Sequence, residues 1–184
     1  LRTRCLAQVK QVSGAIISFS TDNKQRLPVS GTWSYGNKLA SNLHTQNIAG
    51  YIAQGDIYEC PADRGSSSFP AANSSVFLAK GNSYAYANKD AGGTANGTAV
   101  VNGNTGVLEI GGLRTSMAVF SNFTRKVFIF EPTLSTGNAE TDSRNRWHGN
   151  KRGSVLGFAD GHSEYLVTNA PVPSLGRAES NGYY

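Results

Sequence analysis

The sequence predicts an α+β fold in which a long N-terminal helix packs on an antiparallel β-sheet, with a loop-rich region between them. Three observations lead to this prediction. An amphipathic helical pattern opens the chain, an all-apolar run lies in the last third, and two short apolar runs there flank Asp160-Gly161. Helical and strand patterns are segregated along the chain rather than alternating, which is typical of α+β domains.

Residues 2–21 have the apolar spacing of a helix that lies on a sheet. Five side chains follow one another at intervals of 4, 3, 4 and 3 residues: Cys5, Val9, Val12, Ile16 and Phe19. These intervals place all five on one face, and we expect that face to be buried. Asp22-Asn23 ends the pattern. No capping residue precedes it at Leu1, so we expect the helix to continue upstream.

Residues 22–112 predict a loop-rich middle region in which Gly, Ser, Asn and Ala predominate. A shorter helix is predicted at 41–54. Four apolar side chains would form its buried face: Leu43, Ile48, Tyr51 and Ile52. An extended run follows at residues 57–61, and short strands are predicted at 83–87 and 106–110.

Residues 113–170 predict a β-rich region, followed by an irregular tail at 171–184. Residues 126–130 form a near-continuous apolar run, as expected for a central strand that is buried on both faces. The runs at 154–159 and 162–167 are separated by two turn-forming residues, so they predict a β-hairpin.

Asp160-Gly161 indicates a two-residue hairpin loop of type I′, in which both residues take positive φ. Such a loop predicts two cross-strand pairs: Phe158 with Ser163 and Leu156 with Tyr165. One face of the hairpin would then turn to the core and the other to water. The core face would hold Leu156, Phe158, Tyr165 and Val167, and the water face Gly157, His162 and Glu164.

The chain has 184 residues and is 39% hydrophobic, which is enough for one domain spanning residues 1–184. Its net charge of +5 is dispersed, and the densest basic group is Arg144, Arg146, Lys151 and Arg152. Nucleic-acid-binding domains carry a stripe of basic residues, so we expect no nucleic-acid partner. No run approaches the roughly 18 consecutive apolar residues that a membrane-spanning helix requires.

The two cysteines, Cys5 and Cys60, fit either a disulfide in an oxidising compartment or a pair of buried thiols. Zinc sites usually draw four ligands at short spacing, and the sequence has no such cluster, so it predicts no metal site. Calcium is a weaker alternative, for which Glu131, Asp142 and Asp160 are candidate carboxylates. Calcium takes about six to eight oxygen ligands, and this region offers few acids.

His148, Asp160 and His162 suggest catalytic or metal-binding chemistry, but a structural interpretation accounts for them. Asp160 and Gly161 fit the hairpin turn, and His148 can brace the preceding loop by hydrogen bonding to a backbone carbonyl. No serine lies in a nucleophile elbow, and no glycine-rich phosphate loop of the Walker type occurs. We therefore predict no catalytic or cofactor-binding residues, and we do not expect an enzyme.

Four short segments follow one another across nearly the whole chain. They are CLAQVKQ at residues 5–11 with Leu27-Pro28 beyond it, YECPAD at 58–63, SYAYAN at 83–88, and RWHG at 146–149 followed by FADGH at 158–162. Together they resemble the motifs of a large bacterial family of prepilin-type proteins, related to type IV pilins and pseudopilins. Two details depart from that pattern. Eleven residues rather than nine separate His148 from Asp160, and Glu131 stands where the family often has Asp.

The resemblance implies a pilin-like fold and assembly with other pilin-like subunits into a type II secretion pseudopilus or a type IV pilus-like filament. It implies an inner-membrane anchor upstream of residue 1, processing by a prepilin peptidase, and a domain on the periplasmic or extracytoplasmic side. It also implies a Cys5–Cys60 disulfide. The motifs that contain these cysteines occur together in the family, and the domain would face an oxidising compartment.

Two other functions remain open from the sequence. A secreted β-rich module that binds carbohydrate or another ligand would use Trp33, Tyr35 and Trp147 as its platform. A hydrolase would use His148 and Asp160. An upstream basic leader with Gly-Phe and about 20 apolar residues would favour the pilin interpretation, whereas a cleavable signal peptide would favour the binding module.

Overall fold

A computed structural model describes part of the chain. The described residues are 1–28, 48, 50–52, 56–65, 75–80, 82–86, 100–101, 108–110, 113–114, 117, 123–124, 127–131, 144, 146–149 and 153–167. Most of the helix predicted at 41–54 and the whole tail at 171–184 lie outside them. The same is true of five residues singled out above: Trp33, Tyr35, Asp142, Lys151 and Arg152.

The N-terminal helix, α1, spans Arg2–Asp22, which confirms the predicted helix. All five side chains of its apolar stripe are buried. Asn23 ends the helix, because its backbone N–H and its Nδ2 both donate to Phe19 O, at 3.0 and 2.8 Å. The chain then turns away at Lys24 and Gln25, whose φ angles are 56° and 62°. No helix among the described residues combines the length and apolar character needed to cross a bilayer.

In the part of the chain that the structure describes, seven strands follow α1. They are β1 Ala85–Tyr86, β2 Val100–Val101, β3 Leu108–Ile110, β4 Leu113–Arg114, β5 Val127–Phe130, β6 Gly153–Phe158 and β7 Ser163–Val167. An antiparallel sheet in the order β1-β5-β6-β7 supports α1, and a second antiparallel sheet has the order β2-β3-β4. Along the chain, a 3-10 helix at Asp56–Tyr58 and a short helix α2 at Val76–Lys80 come between α1 and β1. The architecture is therefore α+β.

The central strands β5 and β6 are buried on both faces of the four-stranded sheet. Gly157 lies on the face that α1 covers, since a Cβ atom at this position would meet Val9 Cγ1 at 2.6 Å. Its neighbours in β6 point the opposite way. That opposite face holds four side chains with no exposed surface: Val127, Phe130, Leu156 and Phe158. The apolar run at 126–130 predicted this two-sided burial.

The hairpin of β6 and β7 is present, but its loop and register differ from the prediction. The observed partners are Gly157 with Ser163 and Val155 with Tyr165. They are one residue out of step with the predicted pairs. The loop has three residues, 159–161, closed by Phe158 N–H donating to His162 O at 2.9 Å. Only Gly161 takes a positive φ, 89°, and Asp160 does not, so the predicted type I′ turn is wrong. Three-residue hairpin loops characteristically end in such a left-handed glycine.

The one-residue shift changes which side chains face the helix. Gly157, predicted to face water, faces α1, and Tyr165 lies on the same face. Leu156 and Phe158 are buried as predicted, but on the other face of the sheet, and Val167 is exposed. The Asp-Gly signal could not resolve this, because one additional loop residue moves every side chain of a strand to the opposite face.

The middle region also departs from the prediction in detail. The run predicted as extended at 57–61 begins instead with the 3-10 turn of Asp56–Tyr58, which a hydrogen bond from Glu59 N–H closes at 3.0 Å. Of the face predicted to be buried in the second helix, Ile48 is buried, whereas Tyr51 is 36% exposed. An apolar residue type alone therefore did not separate the inner positions from the outer ones.

Candidate functional site

Four side chains from distant parts of the sequence meet at one buried point beside the first turns of α1. Cys5, Cys60, Glu131 and His148 place their sulfur, oxygen and nitrogen atoms within 4.8 Å of one another. Cys5 and Cys60 form a disulfide, with Cα atoms 5.3 Å apart, which is inside the range that disulfides require. We call these four residues the Cys-Glu-His cluster. Each lies in or next to a segment that helped to suggest the prepilin resemblance or its departures.

Glu131 is a fully buried carboxyl group at the end of β5. Its Oε2 accepts a hydrogen bond from Val155 N–H at 2.9 Å, and its Oε1 lies 2.9 Å from His148 Nε2 and 3.3 Å from Cys60 Sγ. Burial raises the pKa of the Glu131 carboxyl group because the charged form loses its hydration, and the hydrogen bond with His148 opposes that shift. The hydrogen bonds with Val155 N–H and His148 Nε2 offset part of the free-energy cost of burying the carboxyl group.

Nε2 of His148 faces this carboxylate, whereas the sequence had suggested a backbone carbonyl as a partner of the ring. Its side chain is 1% exposed. The imidazole ring stands edge-on to Tyr165, with ring centroids 5.6 Å apart. Arg2 of α1 stacks over the same tyrosine, with its Cζ 4.2 Å from the ring centroid. The helix and the hairpin therefore both contribute to the surroundings of this histidine.

A second acid–histidine pair lies at the end of the hairpin loop, apart from the cluster. Asp160 Oδ1 lies 2.5 Å from His162 Nδ1 and accepts a bond from His162 N–H at 3.1 Å. The Glu131 carboxylate binds Val155 near the start of β6, whereas Asp160 follows the end of that strand. The structure thus pairs His148 with Glu131 and not with Asp160. It also places Glu131 and Asp160 near opposite ends of β6 and not around one calcium site.

The segment that contains the second cysteine is attached to α1 by polar contacts as well as by the disulfide. Gln8 Nε2 donates to the carbonyl oxygens of Asp56 and Glu59, at 2.6 and 3.1 Å. The Tyr84 hydroxyl donates to Gln8 Oε1 at 2.8 Å. Arg4 forms an ion pair with Asp56. Gln8 is buried, so these bonds satisfy its amide group where water has little access.

Asp63 organises the backbone just beyond that cysteine. Its carboxylate oxygens accept hydrogen bonds of 2.6–2.9 Å from Gly65 N–H, Val76 N–H, Phe77 N–H and Ser83 Oγ. Two of these donors begin α2, so Asp63 caps that helix from outside it, beside Ser75, whose Oγ accepts from Leu78 N–H at 3.1 Å. Ser83 Oγ in turn accepts a bond from Cys60 N–H at 3.0 Å, which connects the cap to the cluster.

Sequence reasoning missed the pairing of Glu131 with His148 and the structural roles of Gln8 and Asp63. One signal was present, since Glu131 directly follows the strand predicted to be buried on both faces. The spacing of these residues gave no sign of the cluster, because its four members are separated by 55, 71 and 17 positions. Only the folded chain brings these ligand types together.

The donor atoms of the cluster define what it can do chemically. The two sulfurs can exist as a disulfide or as two thiols, and thiolate, imidazole and carboxylate are all ligands of zinc-class metals. The side chains of all four residues are shielded from water, which fits a structural or redox role better than contact with a substrate. Comparisons of this chain with protein-family models, with curated proteins and with solved structures found no match.

Proposed function

We propose that this chain is the globular domain of a type IV pilin-like subunit, either a pseudopilin of a type II secretion system or a pilin of a type IV pilus-like filament. The subunit acts in the bacterial cell envelope by assembling with other pilin-like subunits and not by catalysis. The observation that carries this proposal is the arrangement of α1, which buries one face on an antiparallel sheet and leaves the opposite face open.

The open face of α1 is suited to contact with a neighbouring subunit. Five exposed side chains form a stripe opposite the buried one: Thr3, Ala7, Lys10, Ser18 and Thr21. Four of them are small, so another surface can approach the helix backbone closely. None is large and apolar, so this face alone drives only weak association between isolated domains.

The convergence of the resembling segments also supports the proposal. Cys5 and Cys60 come from the first two segments and His148 from the last, and they meet in one cluster. The third segment contains β1 at Ala85–Tyr86, which pairs with β5 next to that cluster. Segments that build one structural unit together are a firmer basis for the resemblance than four separate short matches.

The proposal includes a hydrophobic half-helix upstream of residue 1, which anchors the subunit in the inner membrane. The domain described here then lies on the periplasmic or extracytoplasmic side. A prepilin peptidase is the processing enzyme in this scheme. Apolar half-helices of neighbouring subunits supply most of the contact area in the filament, consistent with the polar character of the open face of α1.

The test is to express the complete reading frame in its host and in an isogenic strain that lacks prepilin peptidase. We expect mass spectrometry of the wild-type strain to find a membrane-associated protein that has lost a short leader. The peptidase-deficient strain should retain the leader. Cleavage in both strains, with release of free protein into the medium, would instead indicate a secreted module and contradict the proposal.

The alternative, a carbohydrate-binding module, is less well supported by the described residues. Trp147 was to be part of its aromatic platform. In the structure this side chain is 2% exposed, and its Nε1 donates to Gly65 O at 2.8 Å. A buried, hydrogen-bonded tryptophan holds a loop in place and offers no face to a sugar ring.

A further inference from the structure

The Cys-Glu-His cluster has the donor set of a tetrahedral metal site. Two sulfurs, one imidazole nitrogen and one carboxylate oxygen lie within 4.8 Å of one another. Zinc-class cations bind four such ligands at about 2.0–2.3 Å, which puts neighbouring ligand atoms about 3.3–3.8 Å apart. Glu131 Oε1 lies 2.9 Å from His148 Nε2 and 3.3 Å from Cys60 Sγ, within about half an ångström of that spacing.

The surroundings hold the ligands in place, as metal sites require of their outer contacts. Val155 fixes Glu131 twice: its N–H donates to Glu131 Oε2 at 2.9 Å, and its carbonyl accepts from Glu131 N–H at 3.2 Å. Cys60 is held by the bond from its N–H to Ser83 Oγ at 3.0 Å. Cys5 lies on α1, whose buried stripe is packed against the sheet. A cation would therefore bind ligands whose backbone positions are already fixed by hydrogen bonds and by the packing of α1.

We propose that, when its disulfide is reduced, this domain binds one zinc-class divalent cation through Cys5, Cys60, Glu131 and His148. The reductant is a dithiol. It transfers two electrons and two protons to the Cys5–Cys60 bond, which becomes two thiols, and the dithiol becomes a disulfide. The cation then displaces the proton of each thiol to the buffer. The hydrogen-bond proton between Glu131 Oε1 and His148 Nε2 passes to the buffer or to His148 Nδ1, which frees both atoms to bind the cation.

Disulfide and metal are alternative states of the same site, because a sulfur pair bonded at about 2.05 Å cannot also span a tetrahedral cation. The reduced, metal-free protein would leave two thiols beside a buried carboxyl group. The disulfide form and the cation-bound form both avoid that arrangement. In the first the sulfurs are bonded to each other, and in the second the cation binds all four donor groups. This inference concerns the cluster itself and does not depend on the proposed role in a filament.

Cobalt(II) is the probe for the experiment, since thiolate ligation gives it a charge-transfer absorption and tetrahedral geometry gives intense visible bands. The protein is reduced with a dithiol, freed of small molecules under argon, and titrated. We expect both absorptions to saturate at one cobalt ion per chain and to disappear when zinc is added. Protein that keeps its disulfide should show neither absorption.

The variant His148→Gln tests the nitrogen ligand, and His162→Gln is its matched control because His162 follows the hairpin loop and is not part of the cluster. We expect His148→Gln to weaken cobalt binding by about tenfold or more and to shift the visible bands, and His162→Gln to leave both unchanged. Circular dichroism of the disulfide forms checks that the variants fold. X-ray absorption of the zinc-loaded wild-type protein counts the ligands without any substitution, and we expect two sulfurs with two nitrogen or oxygen atoms.

Two results would overturn the proposal. One is a reduced wild-type protein without a thiolate-to-cobalt absorption at one equivalent. The other is equal cobalt affinity in the His148 and His162 variants, which would show a dithiol that binds metal without the rest of the cluster. If His148→Gln does not fold, a zinc shell of the wild-type protein with any composition other than two sulfurs and two lighter atoms decides against it.

Discussion

Glu131 Oε1 lies 2.9 Å from His148 Nε2, and the two side chains are 0% and 1% exposed. The pair formed by Asp160 and His162 joins the same two kinds of group, but its side chains are 30% and 41% exposed. The chain thus contains a buried and an exposed version of one interaction. Comparing them separates the contribution of burial from that of the contact itself.

Replacing His148 with leucine should destabilise the domain far more than replacing His162 with leucine. The first change leaves the Glu131 carboxyl group buried without its side-chain partner, which costs about 2–4 kcal/mol. The second breaks a solvent-exposed pair and should cost less than about 1 kcal/mol. Urea unfolding of the oxidised proteins measures both. Equal losses would show that burial adds nothing to the contribution of the acid–histidine contact.

Cys5 and Cys60 should be bridged in the purified, unreduced protein. Thiol titration after denaturation without reductant should find no reactive group, and two reactive groups would refute the disulfide. The bridge spans 55 positions, so replacing both cysteines with alanine should lower the free energy of unfolding by about 4 kcal/mol relative to the oxidised protein. Reduced wild-type protein in metal-free buffer should lose a similar amount.

Gly157→Ala should weaken the packing of α1 on the sheet. The added methyl group would meet Val9 Cγ1 at 2.6 Å and also the Ser13 hydroxyl, so these side chains or the helix itself must shift, at a cost of about 1–3 kcal/mol. Gly14→Ala is the matched control, because a Cβ there has no neighbour within 4 Å. It should stabilise the helix by about 0.5–1 kcal/mol. Thermal unfolding distinguishes these opposite signs, and two changes of the same sign would disprove the close approach at Gly157.

Asp63→Ala should destabilise the domain by about 2–4 kcal/mol, because it leaves three backbone N–H groups and the Ser83 hydroxyl without their acceptor. Asp56→Ala removes a carboxylate that is 71% exposed and paired with Arg4. That control should cost less than about 1 kcal/mol. Chemical unfolding gives both values, and a mild effect at Asp63 would mean that other acceptors replace it.

The domain by itself should be monomeric or only weakly associated at micromolar concentration. The open face of α1 carries small and polar side chains, and the proposed filament obtains most of its contact area from the upstream half-helix. Sedimentation equilibrium provides the measurement. A tight dimer at this concentration would argue against an assembly that depends on the membrane segment.

Periodicity in the sequence was sufficient where one face decides the structure. The stripe from Cys5 to Phe19 predicted α1 and its buried side, and the apolar run at 126–130 predicted a strand buried on both faces. Both patterns are local, so each can be read within a single segment. The α+β class follows from their order along the chain.

Pairings between distant residues could not be obtained in this way. The register of the hairpin depends on a third loop residue that the Asp-Gly signal does not reveal. For that reason the prediction assigned Gly157 to the water face, whereas it faces α1. Glu131 and His148 are 17 positions apart with no repeat that links them, so their contact depends on how β5 and β6 pair. The sequence identified the residues of the cluster separately but not their common location.

The disulfide has a mechanical consequence for a subunit that is pulled by its helix. Cys5 lies in the first turns of α1, so tension applied at the start of that helix reaches it early and passes into a covalent bond. Apolar packing yields to shear by sliding, whereas the sulfur bridge and the hydrogen bonds of Gln8 carry load into the chain around Cys60. The helix and that segment should therefore respond to force as one body, and the packing contacts between α1 and the sheet would bear only the rest of the applied force.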